Sequence, residues 1–102
     1  GTGGVKSSLY DQNGNSITSC FVSYDTYYPK TGFHEQKPDE WWDSIIQSTK
    51  ELLQSKTIDK TNIECVAVSG HSLGVIPISK DGELLVKNVS IWSDSRATKQ
   101  AS

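Results

Sequence analysis

Apolar side chains are scarce in this sequence: they make up 34% of 102 residues. So small a share leads us to expect that some apolar surface is completed elsewhere, and the length allows one domain or a piece of one. No apolar run approaches the ~20 residues that cross a bilayer, so no membrane span is expected. No basic-then-apolar leader reads as a signal peptide. Ten Lys and Arg against twelve Asp and Glu leave a formal net charge of −2 with the signs interspersed, which offers no basic patch to nucleic acid. The two cysteines, Cys20 and Cys65, lack metal-ligand spacing and are expected as buried free thiols in a reducing cytoplasm.

Against that background one stretch stands out, Val66-Ala67-Val68-Ser69-Gly70-His71-Ser72-Leu73-Gly74. Its Gly-x-Ser-x-Gly pattern is that of an α/β-hydrolase elbow, with Ser72 as nucleophile on a strand-to-helix turn. Residues 63–69 suit the strand, a short apolar run expected to be buried in a sheet. Residues 75–86 do not suit the helix. Val75-Ile76-Pro77-Ile78-Ser79 is β-branched and broken by proline, and Lys80-Asp81-Gly82 turns into Glu83-Leu84-Leu85-Val86 as a hairpin. The hydrolase order places an acid and then a histidine after the serine, whereas no histidine comes after Ser72. The serine hydrolase is therefore an alternative, and the glycine-flanked turn asks for another explanation.

From the start, Gly1-Thr2-Gly3-Gly4-Val5-Lys6 combines backbone freedom, a hydroxyl and a cation, a phosphate-like pattern. It is not a Walker loop, since Val5 rather than glycine precedes Lys6 and no helix comes next. Asn13-Gly14 between residues 6–10 and 16–24 predicts a hairpin. Residues 25–36 form an aromatic-rich connection, read as a loop pinned to the surface by its rings. Pro38-Asp39-Glu40-Trp41-Trp42 opens a helix ending near Ser55, with proline and acids suited to its first turn. Trp42, Ile45, Ile46, Thr49, Leu52 and Leu53 make the expected buried stripe, with Gln47, Lys50 and Glu51 facing water and Trp41 lying off the stripe. Residues 56–62 read as a polar connector. Near the end, Ser93 or Asp94 is the expected N-cap of a last helix.

This order of motifs resembles the N-terminal part of the FGGY family of carbohydrate kinases, which includes the xylulose and glycerol kinases. Three segments carry the likeness: Gly1-Thr2-Gly3-Gly4-Val5-Lys6, Phe33-His34-Glu35-Gln36-Lys37-Pro38-Asp39-Glu40-Trp41-Trp42, and Ile91-Trp92-Ser93-Asp94-Ser95-Arg96. It covers essentially the whole chain. The resemblance implies an α/β fold of the ribonuclease-H/actin-like ATPase type, a mixed sheet with hairpins. Residues 1–102 would form an incomplete N-terminal fragment of that domain.

It also implies chemistry: ATP and Mg²⁺ used to phosphorylate a sugar or polyol. Thr2, Gly3, Gly4 and Lys6 would lie near the nucleotide phosphates, and His71, Ser72, Leu73 and Trp92 would face the sugar. His71 and Ser72 would hydrogen-bond hydroxyls, while Leu73 offers an apolar wall. Xylulose kinases carry Gln-Met-His at the His71-Ser72-Leu73 positions and glycerol kinases Gln-Arg-Glu, a departure that leaves the sugar open. Asp94 and Arg96 are read as a cap and a salt bridge. The resemblance assigns no catalytic base and no metal ligand within these residues; the family's two key aspartates would fall outside them. It further implies a cytoplasmic enzyme, with a homodimer as the assembly to test. A non-catalytic, nucleotide-binding actin-like module using Thr2 to Lys6 is the remaining alternative.

Overall fold

The computed structural model describes residues 2–55 and 58–102. Strand β1 (Gly4–Tyr10) and strand β2 (Ser16–Ser23) pair antiparallel, as the Asn13-Gly14 signal predicts. The turn is local chemistry. Gly14 takes φ 82°, its N–H donates to the Asp11 carbonyl, and the Asp11 carboxylate accepts from the N–H groups of Asn13 and Asn15. Residues 79–83 repeat the device: Gly82 has φ 85°, and the Ser79 hydroxyl accepts from the N–H groups of Asp81 and Glu83. The second hairpin's turn thus forms, but its arms meet only at the Ile78–Leu84 bridge.

Helix α1 (Pro38–Gln54) starts and stops where its sequence signals place it, with Pro38 in the first turn and Ser55 as C-cap. Its buried face differs from the expected stripe. Ser44, Ser48 and Leu52 are buried, whereas Trp42 is 62% exposed and Ile45 and Ile46 are also exposed. The hairpin lies on the small residues. Ser7 and Ser48 share a hydroxyl hydrogen bond of 2.7 Å, and the Cys20 thiol donates to the Ser48 carbonyl at 2.9 Å. Serines let the strands approach the helix backbone, which turns the larger Trp42, Ile45 and Ile46 past the covered face.

Residues 63–69, expected as a buried strand, run uncovered instead: Val66 is 84% and Val68 92% exposed. A strand exists through its neighbours, and among the described residues none pairs with this run. Cys65 is consequently exposed rather than buried, while Cys20 is half-buried; both are free thiols. Within the expected connector 56–62, Lys56 and Thr57 lie outside the described residues, and Lys60–Asn62 forms a 3-10 turn capped by the Asp59 carboxylate.

Strand β3 (Glu35–Gln36) pairs antiparallel with β4 (Val89–Ser90), which ties the aromatic connection to the end of the chain. Helix α2 (Thr98–Ala101) begins after Ala97, so neither Ser93 nor Asp94 caps it. Asp94 is occupied by His34 and Arg96 instead. Among the described residues the buried apolar side chains are Leu52, Val89 and Ile91, a thin core. The radius of gyration, 16.9 Å, exceeds the roughly 13 Å of a compact chain of this length. The α/β class expected from sequence holds, with two two-stranded antiparallel sheets, the β1–β2 hairpin and the long-range β3–β4 pair, and one long helix.

Candidate sugar-facing turn and phosphate turn

Residues 70–74 bend at Leu73, which adopts φ 67°. That is the left-handed region, costly for a side chain with a Cβ. Its glycine neighbours are not strained, and a Cβ on Gly70 or Gly74 would meet nothing within 4 Å. The turn and Trp92 line one open concavity of about 310 Å³, formed by Gly70, His71, Ser72, Leu73 and Trp92. All four residues expected to face a sugar therefore gather there, although about twenty residues separate Trp92 from the turn. Two hydroxyl-competent groups stand beside a 60% exposed indole and an 85% exposed leucine. Polar tips beside apolar faces suit a polyhydroxylated carbon chain.

Trp92 is held through the residues on either side of it. The Asp94 carboxylate accepts from the His34 N–H at 2.7 Å, Ser93 Oγ and His34 Nδ1 are 2.7 Å apart, and the Ile91 N–H donates to the His34 carbonyl. Arg96 forks onto Asp94, reaches Glu35 at 2.6 Å, and lays its guanidinium 3.9 Å from the Phe33 ring centroid. The Arg96 hydrogen bonds hold the Asp94 carboxyl well below the usual carboxylate range and raise the guanidinium further. The expected salt bridge is present, and it clamps the aromatic connection to the segment bearing Trp92.

His71 is held differently. Its ring meets Trp41 edge-on, with centroids 5.4 Å apart and planes at 80°. Its buried Nδ1 has no hydrogen-bond partner among the described residues. Trp41, read from sequence as lying off the helix stripe, is thus the support of the turn. Its Nε1–H donates to Gln36 Oε1 at 3.0 Å. Gln36 is fully buried, and its Nε2 donates to the Thr2 carbonyl at 2.7 Å and to Thr26 Oγ1 at 2.8 Å. Sequence pattern singled out neither of these roles. Trp41 adjoins an apolar stripe that masked it, and Gln36 gains its meaning only from three partners spread along the chain.

The structure sets Thr2, Gly3, Gly4 and Lys6 at the entry to β1. Thr2, Gly3 and Lys6 are exposed and Gly4 is buried. Gly4 is needed for space rather than for a left-handed turn: a Cβ there would lie 2.5 Å from the Val22 carbonyl oxygen and from Cζ of Phe21. Lys6 is in register with Phe21, on the strand face opposite Ser7 and α1. The phosphate-like group and the sugar-facing group are joined through Gln36 and Trp41.

Ser72 lacks the hydrolase context, because residues 73–86 form no helix. Among the described residues no group of three His, Cys, Asp or Glu side chains is placed to hold a metal ion. No described helix is long and apolar enough to cross a membrane.

Comparison with known proteins gives the family and the fold. A Bacillus subtilis (strain 168) protein named xylulose kinase is 30% identical over 100 residues, 98% of this chain and 20% of that protein. A Thermococcus kodakarensis protein named glycerol kinase is 25% identical over 99 residues, again 20% of its length. Among solved structures, a xyloylose kinase from Brucella ovis superposes with TM-score 0.91 at 24% identity, over 98% of this chain and 20% of that one. A gluconate kinase from Lactobacillus acidophilus does so with TM-score 0.86 at 29% identity, over 97% and 19%. The chain spans about one fifth of the length of the curated relatives it matches. The family model for the N-terminal domain of the FGGY family of carbohydrate kinases matches residues 1–102, and the chain belongs to that family.

Proposed function

We propose that this chain supplies the phosphate turn and part of the sugar site of an ATP-dependent sugar or polyol kinase, which transfers the γ-phosphate to a substrate hydroxyl. The observation that carries the reading is the gathering of His71, Ser72, Leu73 and Trp92 around one concavity. His71 and Ser72 exchange hydrogen bonds with substrate hydroxyls, and Leu73 and Trp92 cover its carbons. Thr2, Gly3, Gly4 and Lys6 present backbone N–H groups, a hydroxyl and an ammonium to the nucleotide phosphates. Phosphoryl transfer asks mostly for such positioning and charge stabilisation.

None of the acidic residues here is assigned as the base that takes the hydroxyl proton, and no step is routed through Mg²⁺ on these residues. We take residues 1–102 as one part of the family's N-terminal domain, on the support of the one-fifth span. A cytoplasmic location, where ATP is supplied, and a homodimer testable by sedimentation belong to the same reading.

The test is ADP release by the whole protein that carries this chain, with Mg-ATP and a panel of pentuloses, hexuloses, gluconate and polyols. One substrate stimulating release well above the ATP-only rate supports the reading and names the sugar. A flat panel from folded protein, together with labelling of Ser72 by a serine-directed phosphonate, would replace it with the hydrolase.

A further inference from the structure

Gln36 and Ser48 are the largest fully buried side chains of the described residues, and Gln36 spends its polar atoms on three separate segments. Its partners fix which way the amide points. The Thr2 carbonyl only accepts and the Trp41 indole only donates, so Nε2 must face Thr2 and Oε1 must face Trp41. A glutamate would set a buried charge and a second acceptor against the Thr2 carbonyl, and an aliphatic side chain would orphan both partners.

Downstream of Trp41 the dependence continues. With Nδ1 unpartnered, the His71 imidazole is set by packing against the Trp41 ring rather than by a hydrogen bond. Upstream, the Thr2 carbonyl anchors the residue that leads into Gly3, Gly4 and Lys6. The Gln36 side chain thus bonds toward both groups at once.

We propose that Gln36 is a positioning residue that holds the Thr2 turn and, through Trp41, the His71 turn in fixed register. This rests on the kinase reading above. Phosphate donor and acceptor hydroxyl must meet in line, so the register of the two turns is a property that catalysis uses. The proposal separates two effects. Breaking the node itself loosens both turns, whereas breaking only the Gln36–Trp41 bond loosens the sugar side alone.

The experiment compares Gln36→Met, Trp41→Phe and the parent in the whole protein. Melting temperature, kcat and KM are measured for ATP and for whichever of D-xylulose, glycerol and gluconate the parent turns over. Methionine keeps the length of glutamine without its hydrogen bonds, and phenylalanine keeps a ring against His71 without the N–H. Gln36→Met is expected to raise both KM values about fivefold, and Trp41→Phe to raise the sugar KM about fivefold while leaving that for ATP within about twofold. If both variants fold and hold both KM values within about twofold, or lose melting temperature without that split, the inference is overturned. Should Gln36→Met not fold, an unchanged sugar KM in Trp41→Phe overturns it alone. A folded parent that turns over none of the three substrates overturns the kinase reading and this inference with it; a competent parent with unaltered variants overturns only the inference.

Discussion

Replacing Gly4 by alanine places a new Cβ 2.5 Å from the Val22 carbonyl oxygen and 2.5 Å from Cζ of Phe21. The two neighbours are not equal. The Phe21 ring is 60% exposed and can swing into solvent, whereas the carbonyl belongs to the backbone of β2. Restoring an ordinary contact of 3.4 Å requires that carbonyl to recede by about 0.9 Å. The adjacent Tyr24 N–H to Gly3 carbonyl bond is already 3.3 Å long and would open further. Overpacking of this kind costs about 1–3 kcal/mol and the stretched hydrogen bond about 1 kcal/mol. Restricting the unfolded chain offsets about 0.4–1 kcal/mol of that. We therefore expect a net loss of about 2 kcal/mol, with a rise in KM for ATP because Thr2 and Gly3 move with the strand end. Urea midpoints tracked by tryptophan fluorescence of the whole protein check it. The neighbouring Gly3→Ala is the control, since its Cβ meets nothing within 4 Å. A Gly4→Ala protein within about 0.5 kcal/mol of the parent, or a Gly3→Ala protein equally weakened, would refute the steric argument.

The same geometry sets the outcome of other substitutions. Leu73→Gly removes a left-handed non-glycine at φ 67° with almost no buried surface to lose. It should raise stability by about 0.5 kcal/mol while weakening sugar binding, readable as a higher melting temperature with a higher sugar KM. Arg96→Lys loses the fork onto Asp94 and the stack on Phe33. The pair is part-exposed and screened, so the expected outcome is a small fall in melting temperature, apportioned in a double-mutant cycle with Asp94→Asn. The Tyr27 phenol donates to Glu40, and that bond, aided by burial and the carboxylate charge, pushes its pKa up to about 12. A raised pKa means the contribution is complete below pH 10 and is lost as pH rises through about 12. Tyr27→Phe should lack that alkaline fall in a series of urea midpoints; an identical fall in both proteins would remove Tyr27 as its source.

The turns and the ends of α1 were legible in the amino-acid order because their causes are local, whereas the start of α2 was not, since Asp94 is taken up by His34 and Arg96. Asp11 to Asn15 and Ser79 to Glu83 each close on hydrogen bonds spanning four residues, around a glycine at positive φ. Pro38 and the acids after it mark the start of α1 for equally local reasons. The family likeness rests on the same kind of signal, short motifs in order. Burial was not legible. Periodicity shows that α1 has an apolar side, but the hairpin settled on Ser48, and its position depends on residues some forty places away. Residues 63–69 have the composition of a sheet strand, yet a strand needs neighbours to bond, and no neighbour among the described residues provides them. The same separation hid the site's supports. A glutamine between an aromatic loop and a proline looks ordinary until Thr2, Thr26 and Trp41 converge on it, and Trp92 joins His71, Ser72 and Leu73 only after the chain has folded back. Local hydrogen bonding writes itself into neighbouring residues, whereas packing and convergence belong to pairs that only the folded backbone brings together.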